Sequence, residues 1–262
     1  MVLQSYDASR HDRFYAGADK DFVGQSFDWS GVGNTSADGR GTWATMISPT
    51  HFVSASHLHP QAGQTLTFFA GNSASGHQYV VGSGSQIAGS DLWVGQLISA
   101  LDPAHHIATY PLLNLAQASP GREIYTYGVP HRVGRNAIDS IGPQSVDGTL
   151  GQALIYDYDA SGGMGADESY LQAGDSGAPS FAVETGSLVL AGVHWFIYST
   201  SNGGVGSGDT LVPFYAAQLS AELALSGETL TLVPEPATWA LMLLGGCGLW
   251  LVRRGRFKPI AA

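Results

Sequence analysis

The stretch Gly174-Asp175-Ser176-Gly177-Ala178-Pro179 is the most informative part of this 262-residue chain. A serine between an acidic residue and a glycine, held in a glycine-rich turn, can present its hydroxyl beside backbone N–H groups. Gly, Asp, Ser and Pro are also the ordinary residues of turns. The stretch alone therefore does not distinguish a nucleophile from a turn, and the distinction depends on what lies upstream.

Two upstream segments carry a histidine and an aspartate in suitable surroundings. Residues 54–57 read Ser-Ala-Ser-His and follow an apolar run, so a turn of small residues can hold His57 rigidly. Residues 90–94 read Ser-Asp-Leu-Trp-Val and place Asp91 at the head of an apolar run. A buried carboxylate there needs a partner, and a histidine ring N–H would serve. Taken singly, a structural histidine and a surface aspartate explain each segment better.

The remaining candidates receive structural interpretations. Asp102 competes with Asp91, but its Leu-Asp-Pro context is typical of a turn. His57 and His59 have a spacing seen in metal sites, yet no Asp, Glu or Cys stands at close spacing nearby. We therefore expect no metal and no cofactor. Structural roles are expected for the other histidines considered, which are His59, His105, His106 and His131.

Composition and patterning indicate an all-β protein. The chain has 35 glycines and only 12% charged residues, and short apolar runs alternate with turn residues. We predict two packed antiparallel β-barrels of about six strands each, a C-terminal helix over residues 214–225, and then a short apolar anchor helix. The predicted divisions are a polar, peripheral extension (1–21), a first barrel (22–112), a second barrel with the closing helix (113–232) and a sorting or anchor segment (233–262).

Charge and cysteine content exclude several functions. The net charge is −10, although four of the 11 basic residues lie within residues 253–258. Such an acidic body disfavours nucleic acid as a partner. The single cysteine is Cys247, within the apolar run near the C-terminus. The body before it therefore has neither disulfides nor cysteine catalysis.

Together, the segments around His57, Asp91 and Ser176 resemble the trypsin-like (chymotrypsin-fold) serine proteases. They are similar to that family's Thr-Ala-Ala-His, Asp-Ile-Ala-Leu and Gly-Asp-Ser-Gly-x-Pro motifs, in the family's own chain order. The resemblance runs through most of residues 22–225. It implies that His57 is the general base, Asp91 its orienting acid and Ser176 the nucleophile. It also implies an oxyanion hole formed by the N–H groups of Gly174 and Ser176.

The same resemblance suggests the substrate pocket, for which we take Tyr170, His194 and Trp195. Tyr170 stands six residues before the nucleophile, at the family's pocket base, so a preference for Lys or Arg is not expected. Gly192-Val193-His194-Trp195 resembles the Gly-Ile-His-Trp segment of glutamyl endopeptidases, whose histidine helps bind the substrate carboxylate. His194 then either favours Glu or Asp or is structural. Phe196 and Ile197 replace glycines and narrow the pocket.

Activation can be considered on the same basis. In many members of the family, the Asp before the nucleophile pairs with a new N-terminus released by cleavage, and Asp175 has that place. Phe22-Val23-Gly24 faintly resembles the family's Ile-Val-Gly start and follows Asp21. A cleavage after Asp21 is the corresponding hypothesis.

The C-terminal segment has a separate resemblance. Val233-Pro234-Glu235-Pro236 precedes an apolar run over residues 237–252 and an arginine-rich stretch over residues 253–256. A buried helix is the simpler interpretation, but the run has no polar face. The order resembles the PEP-CTERM sorting signal of Gram-negative bacteria. It implies transient inner-membrane contact through residues 237–252, cleavage by an exosortase and a final place at the cell surface or outside. Export needs an N-terminal signal that residues 1–21 do not show, so we expect a truncated or misassigned start.

The sequence thus predicts a secreted or surface-sorted serine endopeptidase that acts on protein or peptide substrates through an acyl-enzyme. The alternative is a non-catalytic surface or matrix protein that uses the double-barrel scaffold for binding. All three triad residues are present, which favours the enzyme.

Overall fold

The computed structural model of the chain describes residues 1–72, 75–199 and 203–233. The predicted anchor helix over residues 237–252 lies outside these ranges. Among the described residues, no helix is both long enough and apolar enough to cross a membrane.

The described chain begins with a short strand and a helical turn and then forms two β-lobes. Strand β1 (Val2–Leu3) and helix α1 (Ala8–His11) come first. The first lobe is a closed antiparallel barrel with the strand order β2-β3-β4-β7-β6-β5, which confirms the predicted six-stranded barrel. Its strands are β2 (Val32–Asn34), β3 (Trp43–Met46), β4 (His51–Ala55), β5 (Thr65–Phe69), β6 (Gly76–Gln86) and β7 (Leu92–Leu97).

The second lobe is a seven-stranded antiparallel sheet with the order β10-β11-β15-β14-β13-β8-β9. The described residues of its end strands do not pair with each other, so the predicted second barrel is an open sheet, and its seven strands are close to the predicted number of about six. The strands are β8 (Glu123–Gly128), β9 (Arg132–Ala137), β10 (Ser140–Val146), β11 (Thr149–Asp157), β13 (Pro179–Glu184), β14 (Ser187–Ser199) and β15 (Val205–Leu211), while β12 (Ser169–Tyr170) pairs with β1.

A single helix closes the second lobe, as predicted. Helix α2 (Ala216–Leu225) buries Leu219 and Leu223, which lie four positions apart and so share one face. Phe214, the first residue of the predicted helix, lies in the preceding 3₁₀ turn and is 48% exposed. The other 3₁₀ turns are Pro103–His105, Leu115–Gln117 and Gly165–Asp167.

One apolar core joins the two lobes. Trp29 is fully buried, and its ring lies 5.4 Å from that of Tyr127 and 5.7 Å from that of Phe181. Trp43 from β3 belongs to the same cluster. Because aromatic rings bury large areas in specific geometries, this core contributes to the packing of the two lobes against each other.

The N-terminal segment is packed into the body, which corrects the expectation that residues 1–21 are peripheral. His11 and Arg13 are both fully buried. The Arg13 guanidinium donates to the Tyr127 hydroxyl at 3.1 Å and to the Phe69 carbonyl at 2.8 Å. A polar sequence can be buried where each charged group finds partners, and composition alone does not reveal such partners.

Candidate active site

Strands β4 and β7 of the first barrel bring His57 and Asp91 together. Ala55, at the end of β4, pairs with Leu92, at the start of β7, and the Ser56 N–H donates to the Asp91 carbonyl at 2.7 Å. The Asp91 carboxylate lies 2.6 Å from His57 Nδ1 through one oxygen, and its other oxygen accepts from the His57 backbone N–H at 3.0 Å. With Asp91 ionised, Nδ1 is the donor, so Nε2 remains available as a base.

Burial separates the roles of these two side chains. The Asp91 side chain is 3% exposed and the His57 side chain is 42% exposed. The carboxylate is therefore shielded by protein, while the imidazole reaches solvent and any bound substrate. Among the described residues, His57 Nε2 has no hydrogen-bond partner.

Ser176 lies in a tight turn that packs against the turn carrying His57. A Cβ placed on the next residue, Gly177, would lie 2.6 Å from Ser54 Oγ and 3.2 Å from the Leu58 carbonyl. Only glycine allows this approach, and its φ of +84° also favours glycine. No hydrogen bond joins the Ser176 hydroxyl to His57 within the described chain. Such bonds often tighten only when substrate is bound.

Two backbone N–H groups of this turn, those of Gly174 and Ser176, were assigned from the sequence to an oxyanion hole. Gly174 has a φ of +95°, a conformation that residues with a Cβ rarely adopt. Within the described part of the chain, no acceptor bonds the N–H of Gly174 or that of Ser176. Both donors are therefore available to an anionic oxygen beside Ser176.

The buried carboxylate of Asp175 holds the turn that contains Ser176. It lies 2.7 Å from the amino group of Met1 and accepts the N–H groups of Val129 and Gln172, each at 2.8 Å. Burial lowers the pKa of the Met1 amino group, and the Asp175 charge opposes that shift. In the uncleaved chain, the Val23 N–H donates to the Arg10 carbonyl at 2.8 Å. A new N-terminus at Phe22, released by cleavage after Asp21, stays a prediction.

A small cavity of about 120 Å³ adjoins Ser176. Trp195, which the sequence assigned to the pocket, is one of its walls and is 6% exposed. The residues that sequence reasoning missed as walls are Leu171, Gln172 and Ala173, which immediately precede the nucleophile turn. The position just before a nucleophile motif was a usable signal for them. The described lining carries no acidic, Lys or Arg side chain.

His194 borders the same cavity, but its ring nitrogens point elsewhere. Nδ1 lies 2.8 Å from the Asp209 carboxylate, and Nε2 lies 2.8 Å from the Tyr127 carbonyl. The side chain is fully buried. Burial alone would lower the pKa of His194, but the Asp209 carboxylate outweighs it and raises that pKa. With both nitrogens occupied, the ring has no donor for a substrate carboxylate, which favours the structural interpretation.

Tyr170 does not line the cavity, which corrects its assignment to the pocket base. It belongs to β12, opposite Val2 of β1, and its ring lies 5.0 Å from that of Tyr158. The next residue, Leu171, lines the cavity instead.

Asp167 is a buried charge whose role the sequence did not reveal. Its carboxylate lies 2.5 Å from Arg10 Nε, 3.2 Å from His11 Nε2 and 3.2 Å from Arg135 Nη1. Burial would raise the pKa of Asp167, but the hydrogen bonds from these three side chains outweigh it and hold that pKa below its ordinary value. The cluster joins the N-terminal segment to the loop that leads to Ser176.

The other histidines and Asp102 have structural contacts. His59 stacks on Trp93 at 3.7 Å and bonds the Ser56 carbonyl through Nδ1 at 2.9 Å. His131 is held by the Tyr127 hydroxyl at Nδ1 and the Ala37 carbonyl at Nε2, and Asp102 caps the 3₁₀ turn that follows it. His105 bonds the Tyr79 hydroxyl, and His106 ends the same 3₁₀ turn. Across residues 1–72, 75–199 and 203–233, no three His, Cys, Asp or Glu side chains are grouped so as to hold a metal ion.

Comparison with known proteins shows the fold. No family model and no curated protein matches the chain. The structure is similar to a mutant of human heparin binding protein, with a TM-score of 0.55 and 14% identity over 79% of this chain and 95% of that one. It is also similar to the protease domain of MamO from Magnetospirillum magneticum, with a TM-score of 0.49 and 12% identity over 72% of this chain and 93% of that one. The fold is that of the trypsin-like serine proteases.

Proposed function

We propose that the chain is a serine endopeptidase in which His57, Asp91 and Ser176 form the catalytic triad. The double hydrogen bond from His57 to the Asp91 carboxylate carries the proposal. It leaves Nε2 of an exposed imidazole free, next to the turn that presents Ser176. A serine hydroxyl is a poor nucleophile without such a base.

The proposed reaction follows from this arrangement. His57 Nε2 takes the proton from Ser176 Oγ as that oxygen attacks the substrate carbonyl carbon. The resulting oxyanion accepts the N–H groups of Gly174 and Ser176, and removing one such donor typically costs on the order of 100- to 1000-fold in rate. His57 then protonates the leaving amine as the peptide C–N bond breaks. Water, deprotonated by His57, hydrolyses the acyl-enzyme and restores Ser176, while Asp91 stabilises the imidazolium at each step.

The cavity beside Ser176 supports a preference for small, uncharged side chains before the cleaved bond. Its volume is about 120 Å³, and Phe196 and Ile197 lie along one side. The preference for Glu or Asp that the sequence suggested would need a donor from His194 to the substrate carboxylate. Both ring nitrogens of His194 are already bonded within the protein, so this donor is missing. A buried unpaired carboxylate would be costly in such a site.

The site of action is also part of the proposal, and it rests on the sequence alone. The PEP-CTERM resemblance of residues 233–256 supports export to the cell surface, with exosortase cleavage and a transient inner-membrane anchor at residues 237–252. In a Gram-negative host that carries an exosortase, mass spectrometry of the surface protein should show loss of the tail. An intact tail on a cytoplasmic protein would contradict this part.

A library of peptides of mixed sequence, digested and read by mass spectrometry, tests the activity. We expect cleavage by the wild type, with Ala, Ser or Val preferred before the cut, and none by Ser176→Ala. An intact library with a folded wild-type protein would favour the non-catalytic scaffold. The similarity to a protein named for binding heparin keeps that alternative open, since a fold does not fix a function. The net charge of −10 disfavours a polyanion as its ligand here.

A further inference from the structure

Trp43 makes a hydrogen bond that crosses from the first lobe to the nucleophile turn. Its indole Nε1–H donates to the Gly174 carbonyl at 3.0 Å, between residues 131 positions apart. We propose that Trp43 is a positioning residue for the oxyanion hole. It holds the Gly174 carbonyl and thereby keeps the N–H groups of Gly174 and Ser176 directed to the same side. The inference rests on the proposed function and deepens it.

The peptide unit between Gly174 and Asp175 is held at both of its ends. Trp43 binds its carbonyl oxygen, and its N–H donates to the Gln172 carbonyl at 3.1 Å. This unit lies between the N–H groups of Gly174 and Ser176, neither of which has a partner among the described residues. Its orientation therefore decides whether both groups point to one place.

Gly174 needs such a restraint because its own backbone supplies little. Glycine has the widest choice of φ and ψ of any residue. Even a Cβ built on Gly174 would meet nothing nearer than Val129 Cγ2, at 3.4 Å, so steric contact does not hold the residue. The hydrogen bond from Trp43 is thus the contact that fixes the carbonyl from the side of the first lobe.

Trp43 is itself held firmly. The side chain is fully buried, and its ring packs edge-on against those of Tyr127 at 5.5 Å and His131 at 5.3 Å. Its own carbonyl accepts the Ser54 hydroxyl at 2.7 Å. Trp43 is a firmly held donor on the first lobe, and the Gly174 carbonyl that it binds belongs to the second lobe. Oxyanion binding therefore depends on the packing of the two lobes against each other.

Trp43→Phe keeps an aromatic ring and removes the donor. Removal of a whole oxyanion donor costs on the order of 100- to 1000-fold in rate, and a misdirected donor costs less, so we expect kcat to fall about 10- to 100-fold. KM should change less than about threefold, because the oxyanion forms only in the transition state. The affinity for a peptide boronate, which places an anionic oxygen in the hole, should fall in parallel with kcat.

Trp29→Phe is the matched control. Trp29 is also fully buried, and its Nε1–H donates to a glycine carbonyl, that of Gly24, at 2.8 Å. Both variants should lose similar stability to urea, and only Trp43→Phe should lose kcat and boronate affinity. Wild-type kcat in Trp43→Phe, or an equal loss in Trp29→Phe, would overturn the inference.

A crystal structure of Trp43→Phe separates this inference from the proposed function. If the folded wild type does not cleave peptides, the proposed function fails, yet the structure still measures the peptide orientation. We expect the Gly174 carbonyl to rotate away from its wild-type direction. An unchanged Gly174–Asp175 peptide would show that Trp43 does not position it, whatever the activity.

Discussion

The Asp91 carboxylate accepts two hydrogen bonds from the same residue, one from the His57 backbone N–H at 3.0 Å and one from its ring Nδ1 at 2.6 Å. The pair of bonds fixes both the position of the residue and the orientation of its imidazole. Since Nδ1 donates to Asp91, the neutral His57 ring carries its lone pair on Nε2.

Asp91→Asn tests this relationship. The amide keeps the size of the side chain but offers one acceptor oxygen and no charge, so the histidine tautomer and the imidazolium lose their support. We expect kcat to fall on the order of 10,000-fold with little change in KM. Steady-state kinetics on a chromogenic peptide amide measures both.

Asp102→Asn provides the control for that substitution. Asp102 was the competing aspartate in the sequence, and its carboxylate only caps a 3₁₀ turn through the Ala104 N–H. Its kinetics should match the wild type. A loss in Asp102→Asn equal to that in Asp91→Asn would contradict the assignment of Asp91.

Asp167→Asn should destabilise the protein by leaving three basic side chains without their shared partner. Breaking a buried ion pair costs roughly 3–5 kcal/mol. Arg10 and Arg135 are partly exposed, at 35% and 26%, so we expect about 2–3 kcal/mol after solvent screening. Urea unfolding measures the change.

Asp38→Asn is the matched exposed substitution. Asp38 lies 3.8 Å from Arg40, and both side chains are more than half exposed. Its unfolding free energy should match that of the wild type, because substitutions at exposed positions away from special features have small effects. Equal effects of the two substitutions would show that the Asp167 cluster does not secure the N-terminal segment.

The stability should fall as the pH drops from about 6.5 to about 4 because of His131. Burial lowers the pKa of His131 to about 4, and the positive charge of Arg13 adds to this effect, while the hydrogen bond to the Ala37 carbonyl opposes it. In this window the unfolded chain binds a proton at His131 and the folded chain does not, which favours unfolding. Linkage gives a loss of roughly 2 kcal/mol between pH 7 and pH 5.

Urea midpoints at several pH values test this expectation. His131→Gln keeps an acceptor and a donor but cannot titrate, so its stability should depend less on pH in the same window. His106→Gln, at an exposed position, should keep the wild-type slope. Identical slopes in the wild type and His131→Gln would refute the role of His131.

Phe196→Ala should widen the choice of substrate. Phe196 and Ile197 line both the cavity beside Ser176 and a neighbouring groove of about 590 Å³. The Phe196 ring packs directly on Gly208, where a Cβ would lie 2.2 Å from its Cζ. Its removal should raise the ratio of kcat/KM for Leu over Ala before the cut by about 10-fold, the scale of pocket discrimination. An unchanged ratio would show that Phe196 does not limit the pocket.

The sequence predicted those features that local segments carry. The all-β class and the first barrel follow from patterns of neighbours within a few residues, so the sequence could predict them, while the roles of His57, Asp91 and Ser176 stay predictions. The sequence did not reveal the bond from Trp43 to Gly174, the pairing of Asp175 with Met1 or the cluster around Asp167. Each of these joins residues more than 100 positions apart and depends on how the lobes dock.

The errors have physical causes as well. Tyr170 was assigned to the pocket by counting six residues back from Ser176. In the structure it belongs to a strand that pairs with β1, opposite Val2, and this long-range pairing has no signal in the local sequence. The sequence around a strand histidine is the same whether its ring binds a substrate or a buried carboxylate. For His194, the structure decides for the carboxylate, because Nδ1 is bonded to Asp209.

Labelling with a fluorophosphonate, read by peptide mass spectrometry, tests the central claim most directly. The reagent reacts with a serine that a neighbouring base activates. The folded wild type should carry one adduct, on Ser176, while Ser176→Ala should carry none and His57→Ala should react far more slowly. A folded wild-type protein that stays unlabelled, or an adduct on another serine, would contradict the assignment of Ser176 as the nucleophile.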